Sequence, residues 1–217
     1  MSTLTGPRRE AASGKADALV ILLHGYGADG NDLIGLADPL APHLPDVTFL
    51  APNAPDRCGV NPMGYQWFPI PWMDGSSEVE MGQGFARSAD LLHGWLDEVA
   101  EAEGIGADRT VLIGFSQGTM MSLQVGPQRA AQLAGIVGFS GRLVQPGALA
   151  EARTKPPVQL IHGDADPVVP YDSMAQAEGA LSAAGFEVKS HTSKGIAHGI
   201  GPDGLQVAFD RIRGWLG

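Results

Sequence analysis

A serine flanked by glycines is the residue in this sequence whose setting most favours chemistry. Ser116 lies in Gly114-Phe115-Ser116-Gln117-Gly118, after a short apolar run rich in β-branched residues and before a segment that can form a helix. A strand that turns sharply into a helix at Gly-x-Ser-x-Gly exposes the serine hydroxyl and leaves no room for side chains at the glycines. We therefore predict that Ser116 is a nucleophile at a helix N-terminus, where the helix dipole favours developing negative charge. The alternative is a glycine-rich turn with a surface serine.

Two residues further along the chain could activate Ser116. A serine hydroxyl reacts when a base takes its proton, and the base needs an acid that fixes its tautomer. Asp166 follows one predicted strand, and His198 follows the last one, in a loop flanked by Gly195 and Gly199. Because the carboxyl ends of parallel strands share one edge of a sheet, we expect all three side chains to lie together there.

Asp164 competes with Asp166 for the role of the acid, since both lie in one turn. We favour Asp166, because Pro167 after it holds the backbone extended. We expect Asp164 to form the turn by bonding to its own backbone. His191 lies inside a predicted strand and is expected to be structural, and Cys58 is assigned a structural role as well.

The other histidines offer one alternative chemistry. His43 and His93 precede the Ser116 motif and are expected at the surface. A metal site would draw its ligands from His24, His162, Asp164, Asp166 and His198. We disfavour it, because no closely spaced ligand pair supports it and the serine motif would remain unexplained. No metal is therefore predicted.

Acyl transfer through Ser116 would also need two donors for the negative oxygen of the tetrahedral intermediate. The backbone N–H of Gln117, directly after the nucleophile, is one candidate. The other comes from the loop after an early strand, where His24-Gly25-Tyr26-Gly27 places the backbone N–H of Tyr26. The alternative is a tight turn with no further role.

Residues 52–82 form a segment with many prolines and glycines, a composition that disfavours regular structure. Such a long loop with much apolar surface is usually functional or packed back on the protein. We predict that residues 61–73 wall an acyl pocket and select short to medium acyl chains; the alternative is that they only pack the loop onto the sheet. The predicted pocket residues in this loop are Met63, Trp67 and Phe68, with Trp72 as a secondary candidate. Val168, outside the loop, is also predicted to line the pocket.

Buried strands alternate with helices along the chain, which predicts a mostly parallel sheet covered on both faces, in the α/β class. The predicted strands are 18–23, 47–50, from about 109 to the serine motif, 135–139, 157–161 and 186–191. The predicted helices are 32–40, 83–103, 172–184 and 204–216. Residues 1–14 are expected to be a flexible arm, and 15–217 one domain.

Composition excludes several classes of partner. The formal net charge of −10 disfavours nucleic acid and anionic membranes, which require basic patches. One cysteine rules out an internal disulfide framework and fits a reducing compartment. No apolar run approaches the roughly 20 residues of a membrane span, and the polar N-terminus does not resemble a signal peptide. We expect a cytoplasmic protein without stable membrane insertion; a homodimer is compatible with the sequence.

Four motifs together resemble the phospholipase/carboxylesterase family, which includes bacterial carboxylesterases and acyl-protein thioesterases. They lie at 23–29, 114–118, 162–170 and 195–198, and the resemblance covers about 18–216. It implies a compact α/β-hydrolase fold without a large cap, a triad of Ser116, Asp166 and His198, backbone oxyanion donors at Tyr26 and Gln117, and Trp67-Phe68 near the acyl site. Thr119 and Gly199 depart from the usual pattern and are candidates for altering substrate preference.

The sequence thus predicts a serine carboxylesterase that cleaves small-molecule esters of short to medium acyl chains through an acyl-enzyme, without a cofactor. An acyl-protein thioesterase or a lysophospholipase would use the same triad and differ in the leaving group. An acyltransferase would need a site for an acceptor other than water. A catalytically inactive ligand-binding module is the non-enzyme alternative, and the complete triad argues against it.

Overall fold

The computed structural model describes residues 4–217 and is built around a seven-stranded sheet with the strand order β1-β3-β2-β6-β7-β8-β9. The strands are β1 (Arg8–Arg9), β2 (Ala18–Leu23), β3 (Val47–Leu50), β4 (Asp56–Arg57), β5 (Tyr65–Gln66), β6 (Thr110–Phe115), β7 (Gly135–Phe139), β8 (Val158–Gly163) and β9 (Val188–Ser193). The α-helices are α1 (Gly30–Ile34), α2 (Ala37–Leu40), α3 (Pro71–Asp74), α4 (Glu78–Glu103), α5 (Gln117–Gln128), α6 (Asp172–Ala183) and α7 (Pro202–Leu216).

The predicted parallel sheet is confirmed. Every neighbouring pair from β3 through β9 in the strand order is parallel, and only the pairing of β1 with β3 is antiparallel. Alternate residues of β2 enter two separate cores, one on each face of the sheet. Leu19 and Ile21 pack in the core that includes Leu92 of α4, whereas Val20 packs in the core that includes Ile212 of α7. Helices on both faces thus bury the strands and fix the edge where the loops lie.

Helix boundaries differ from the predictions where capping residues lie outside the apolar pattern. α4 begins at Glu78 rather than at residue 83, because Ser77 and Glu80 form a reciprocal capping box. The predicted helix 32–40 is divided into α1 and α2, with Gly35 between them. β9 lies two positions later than predicted, at Val188–Ser193 instead of 186–191.

The prediction of a flexible N-terminal arm is wrong for residues 4–14; residues 1–3 lie outside the described part. Leu4 is buried, and β1 pairs with β3 through Arg8 opposite Leu50. The Arg8 guanidinium also forms a salt bridge with Glu103, at the end of α4, with an N–O distance of 2.9 Å. The physical reason is the open edge of β3, whose backbone groups need partners, and the short arginine-bearing strand covers that edge.

The proline-rich and glycine-rich segment packs back onto the sheet. It contains the short ribbon of β4 and β5 and the single turn of α3, with irregular backbone between them. Trp67 and Phe68 are almost completely buried in the same core as Leu92. No helix in the described residues is long and apolar enough to cross a membrane.

Candidate active site

Ser116 lies at the sharp junction of β6 and α5, as the sequence predicts. Its φ of 53° is positive, a conformation that costs energy for a residue with a side chain. A Cβ atom at Gly114 would overlap the Gly118 backbone, and one at Gly118 would overlap the Leu23 carbonyl. The Ser116 N–H donates to the Phe139 carbonyl at 2.9 Å, which ties the turn to the end of β7. The junction therefore holds a strained serine at the end of the sheet where the other loops meet.

Asp166 and His198 form a hydrogen-bonded pair beside this turn. His198 Nδ1 lies 2.7 Å from Asp166 Oδ2, and the Asp166 side chain is fully buried. Asp166 Oδ1 accepts the backbone N–H groups of Val168 at 2.8 Å and Val169 at 2.9 Å. Burial raises the pKa of Asp166, but hydrogen bonds from His198 and the two backbone groups outweigh it and lower the pKa below its ordinary value. The carboxylate is thus ionised and its two oxygens have separate tasks.

The Asp164 side chain has a different hydrogen-bond partner from the one expected. Its Oδ1 accepts the Gly195 N–H at 2.6 Å, so it contacts the loop that carries His198 and does not close its own turn. The expectation of a purely local bond is therefore wrong. The turn-type bonding to the following backbone belongs instead to Asp166, which also reaches His198.

His162 is a member of this cluster that the sequence analysis considered only as a metal ligand. It is buried, and its Nε2 lies 3.2 Å from Asp166 Oδ2 and 3.0 Å from the Val169 carbonyl. Two oxygen neighbours assign the ring proton to Nε2, from which it can be shared between them. His162 thereby contacts Asp166 at Oδ2, the oxygen that the two backbone donors do not use. The only feature of the sequence that could have indicated this role is the position of His162 near the end of a buried strand, directly before Gly163.

Ser116 and His198 line one cavity of about 270 Å³. The His198 ring packs against Phe115, with 4.9 Å between ring centroids. Among the described residues, no hydrogen bond joins Ser116 to His198. Such catalytic hydrogen bonds are often long or misaligned until substrate is bound.

Both predicted oxyanion donors border the same cavity. Tyr26 and Gln117 contribute to its lining, and Gln117 is the first residue of α5, so its N–H has no partner within the helix. Within residues 4–217, the backbone N–H of Tyr26 also lacks a hydrogen-bond acceptor. Two free donors therefore lie at the edge of the cavity that Ser116 lines.

The side chain of Gln117 fastens residues 52–82, here called the aromatic loop, to this site. Its Oε1 accepts the Trp67 N–H at 3.0 Å, and its Nε2 donates to the Phe68 carbonyl at 2.7 Å. The Trp67 indole N–H donates to the His24 carbonyl at 3.0 Å, next to the loop that carries Tyr26. These contacts couple the turn at Ser116, the cavity wall and the loop that carries Tyr26.

The predicted pocket residues divide into two groups. Phe68, Val168 and Trp72 line the cavity. The prediction is wrong for Trp67, which has no exposed surface and supports the loop from behind, and for Met63, which is 83% exposed and outside the cavity. Ile70 and Met73 also line the cavity and belong to the predicted wall of residues 61–73, although they were not singled out. The lining residues that sequence reasoning missed include Met120 and Arg142.

A metal site finds no support in the arrangement of the side chains. His24 Nδ1 lies 2.8 Å from the Gly25 carbonyl, and its Nε2 accepts the Ala54 N–H at 2.9 Å, so both ring nitrogens are engaged. No group of three or more His, Cys, Asp or Glu side chains in the described range is placed to hold an ion.

A model of the phospholipase/carboxylesterase family matches residues 5–216. The chain belongs to this family. It is 29% identical over 201 residues to an esterase named YpfH from Escherichia coli, covering 91% of this chain and 83% of that one. It is 33% identical over 198 residues to acyl-protein thioesterase 1 of Neurospora crassa, covering 83% and 80% of the two chains.

A solved structure supports the same family assignment. The crystal structure of esterase PE8 superposes with a TM-score of 0.93 at 42% identity, covering 98% of this chain and 99% of that one. The protein is therefore a hydrolase of the α/β-hydrolase fold, in a family of esterases and acyl-protein thioesterases.

Thr119, where this member departs from the usual family pattern, does not line the cavity. It is buried, and its hydroxyl lies 2.8 Å from both the Gly114 and the Phe139 carbonyls. It thus braces the two strand ends that flank Ser116. Any influence of Thr119 on substrate preference would have to pass through this turn.

Proposed function

We propose that this family member is a serine carboxylesterase in which Ser116, His198 and Asp166 form the catalytic triad. The observation that carries the proposal is the Asp166–His198 hydrogen bond of 2.7 Å beside a cavity that the strained Ser116 also lines. The free N–H groups of Tyr26 and Gln117 at the same cavity supply the expected oxyanion hole.

In the first half of the reaction, His198 takes the Ser116 proton while Ser116 Oγ attacks the acyl carbon. The N–H groups of Tyr26 and Gln117 hold the negative oxygen that forms. When the tetrahedral intermediate collapses, the bond to the leaving alcohol breaks and His198 returns the proton to that alcohol. Asp166 keeps the His198 tautomer that points Nε2 at Ser116 and stabilises the imidazolium.

In the second half, water replaces the serine as the nucleophile. His198 removes one water proton, the hydroxide oxygen bonds to the acyl carbon, and the acid is released as Ser116 Oγ regains a proton. Every proton passes through one imidazole, so no cofactor is required by these steps.

The substrate class we propose is a small-molecule ester with a short to medium acyl chain. The cavity is modest and mainly apolar, which supports such a chain length. A thioester substrate is the second candidate, because a relative 33% identical carries the name acyl-protein thioesterase 1. Matched oxoesters and thioesters of one acyl chain, compared by kcat/KM, decide between the two.

The location we propose is a reducing compartment such as the cytoplasm. The one cysteine, Cys58, is a buried free thiol, which is consistent with such a compartment.

Replacing Ser116 tests the proposal directly. We expect Ser116→Ala to remain folded and to lose about 10⁴- to 10⁶-fold in turnover, because the nucleophile is gone. A fluorophosphonate should label the wild-type protein at Ser116 only. The matched control is Ser182→Ala on the exposed surface of α6, which should keep both turnover and labelling. Turnover of 4-nitrophenyl butyrate by purified Ser116→Ala at the wild-type rate would refute the assignment.

A further inference from the structure

One cation faces the otherwise apolar cavity. Arg142 follows β7 after Ser140 and Gly141, at the same edge of the sheet as Ser116. Among the lysines and arginines of the described chain, it alone lines the cavity. Ser140 has a positive φ of 47° and donates its N–H to the Ile161 carbonyl at 2.9 Å, which fixes the backbone from which Arg142 projects.

The Arg142 guanidinium has no acidic partner in residues 4–217. Six other arginines in this acidic protein form salt bridges: Arg8 with Glu103, Arg9 with Asp38, Arg87 with Asp56, Arg109 with Asp17, Arg129 with Asp97 and Arg211 with Glu187. In the described residues Arg57, Arg153 and Arg213 form none either, but none of these three lines the cavity. Arg142 is partly buried, and its guanidinium lies over the Trp72 ring, 5.7 Å from the ring centroid. Such stacking holds the planar group in place and leaves its N–H donors unused.

Asp74, on the neighbouring wall, forms no ion pair with this cation, and both of its oxygens accept hydrogen bonds from other groups. Asp74 ends the helix that carries Trp72, and its Oδ2 accepts the Tyr26 hydroxyl at 2.9 Å and the Ile70 N–H at 2.8 Å. Its Oδ1 accepts the Ser76 N–H at 3.0 Å. The donors of Arg142 therefore remain free for a molecule that enters the cavity.

We propose that Arg142 binds an anionic substituent of the ester substrate, a carboxylate or a phosphate, inside the catalytic cavity. The inference rests on the proposed function of Ser116. A guanidinium matches the two oxygens of either anion with parallel hydrogen bonds, and apolar walls strengthen the charge interaction. The net charge of −10 repels anions at long range, so recognition must come from this contact. The site thus selects esters that carry their own negative charge a few atoms from the carbonyl.

Paired substrates separate this recognition from general activity. The mono-4-nitrophenyl ester of adipic acid ends in a carboxylate, and its methyl-capped counterpart is a neutral ester of similar length. A third ester of the same length ends in a phosphate. The measured quantity is the ratio of kcat/KM for each anionic ester to that for the neutral one, corrected for spontaneous hydrolysis.

We expect wild-type protein to favour an anionic ester and Arg142→Gln to lower that ratio about 10- to 100-fold, the usual range for a charge-assisted hydrogen bond. Arg142→Lys should retain part of the preference. Arg153→Gln, which removes an exposed charge elsewhere, should leave the ratio at the wild-type value. The larger of the two anionic ratios identifies carboxylate or phosphate as the preferred group.

Equal losses on anionic and neutral esters in both Arg142 variants would overturn the inference and leave Arg142 as a support for Trp72. A wild-type ratio below one would overturn it as well. In either case Ser116-dependent turnover of the neutral ester would keep the proposed function standing. Turnover of none of the esters would refute both.

Discussion

At the scale of the residue, the two aspartates of one turn have different partners. The Asp166 side chain contacts His198, whereas the Asp164 side chain accepts the backbone N–H of Gly195. We expect Asp166→Asn to lower kcat about 10⁴-fold, because an amide at that position favours the wrong His198 tautomer. Asp164→Asn keeps an oxygen that can accept the Gly195 N–H and is the matched control. Steady-state kinetics of both variants with one ester tests this, and the reverse ranking would contradict the assignment of Asp166.

A second residue-scale prediction concerns His24, which lies two residues before Tyr26 and is buried. Burial lowers the pKa of His24 below its ordinary value, although the Gly25 carbonyl, Asp29 and Asp32 oppose the shift. Below about pH 6.5 the unfolded chain therefore binds a proton at this residue that the folded protein does not. The stabilisation is complete above about pH 6.5 and is lost as the pH falls towards the lowered pKa.

Urea unfolding at several pH values measures this effect. The free energy of unfolding should fall below about pH 6.5 with a His24 contribution of up to ~1.4 kcal/mol per pH unit. In His24→Gln the fall should be shallower, while His43→Gln, on the exposed surface, should keep the wild-type slope. Parallel curves for wild type and His24→Gln would show that His24 is not the group responsible.

At the scale of the element, the aromatic loop shows what the sequence could and could not specify. The apolar content of residues 52–82 indicated a packed or functional loop, and the segment has both side chains packed in the core and side chains that line the cavity. Which residue faces the cavity depends on the irregular backbone around α3, where no 2-residue or 3.6-residue period operates. Of the two tryptophans predicted for the pocket, Trp72, named in second place, lies at the cavity, whereas Trp67 is buried behind its wall.

Two methionines of this loop give a matched test of the acyl pocket. Met73 lines the cavity and is 44% exposed, whereas Met63 is 83% exposed and lies outside it. Met73→Ala should weaken the rise of kcat/KM with acyl length, because each buried methylene contributes about 0.8 kcal/mol, roughly fourfold. Met63→Ala should reproduce the wild-type profile.

The comparison uses 4-nitrophenyl esters from acetate to laurate. Met73→Ala should lose most on the medium-length esters and least on acetate, with little change in the midpoint of thermal unfolding. Equal losses at every chain length would place the acyl chain away from α3. A changed profile in Met63→Ala alone would contradict the cavity assignment itself.

At the scale of the whole molecule, local sequence patterns predicted individual strands and turns but missed contacts between segments that are distant in the sequence. The buried strands and the elbow at Ser116 follow from apolar runs and glycine spacing, and the structure has them. The parallel order of the strands then brings Asp166 and His198 to one edge. The pairing of Arg8 with Leu50 and the contact of His162 with Asp166 depend on neighbours that only the folded sheet provides.

The N-terminal segment offers a test of that long-range packing. Removal of residues 1–10 deletes β1 and the buried Leu4 and exposes the edge of β3. We expect unfolding to become easier by roughly 2–3 kcal/mol, about the value of one buried leucine plus the lost strand pairing. Aggregation should increase, because an open edge strand can pair with another chain. Removal of residues 1–3 alone is the matched control and leaves β1 in place.

Removal of residues 1–10 should lower stability but leave the catalytic rate of the folded molecules unchanged. In the sheet order, β3 and β2 separate β1 from β6, the strand that leads into Ser116, so the site does not contact the deleted strand. Active-site titration with a fluorophosphonate counts the folded molecules, and kcat per titrated site should match the wild-type value. A shortened protein with unchanged urea midpoint would mean that the pairing of β1 contributes nothing to stability. Loss of kcat per titrated site would mean that the edge of the sheet is coupled to the turn at Ser116.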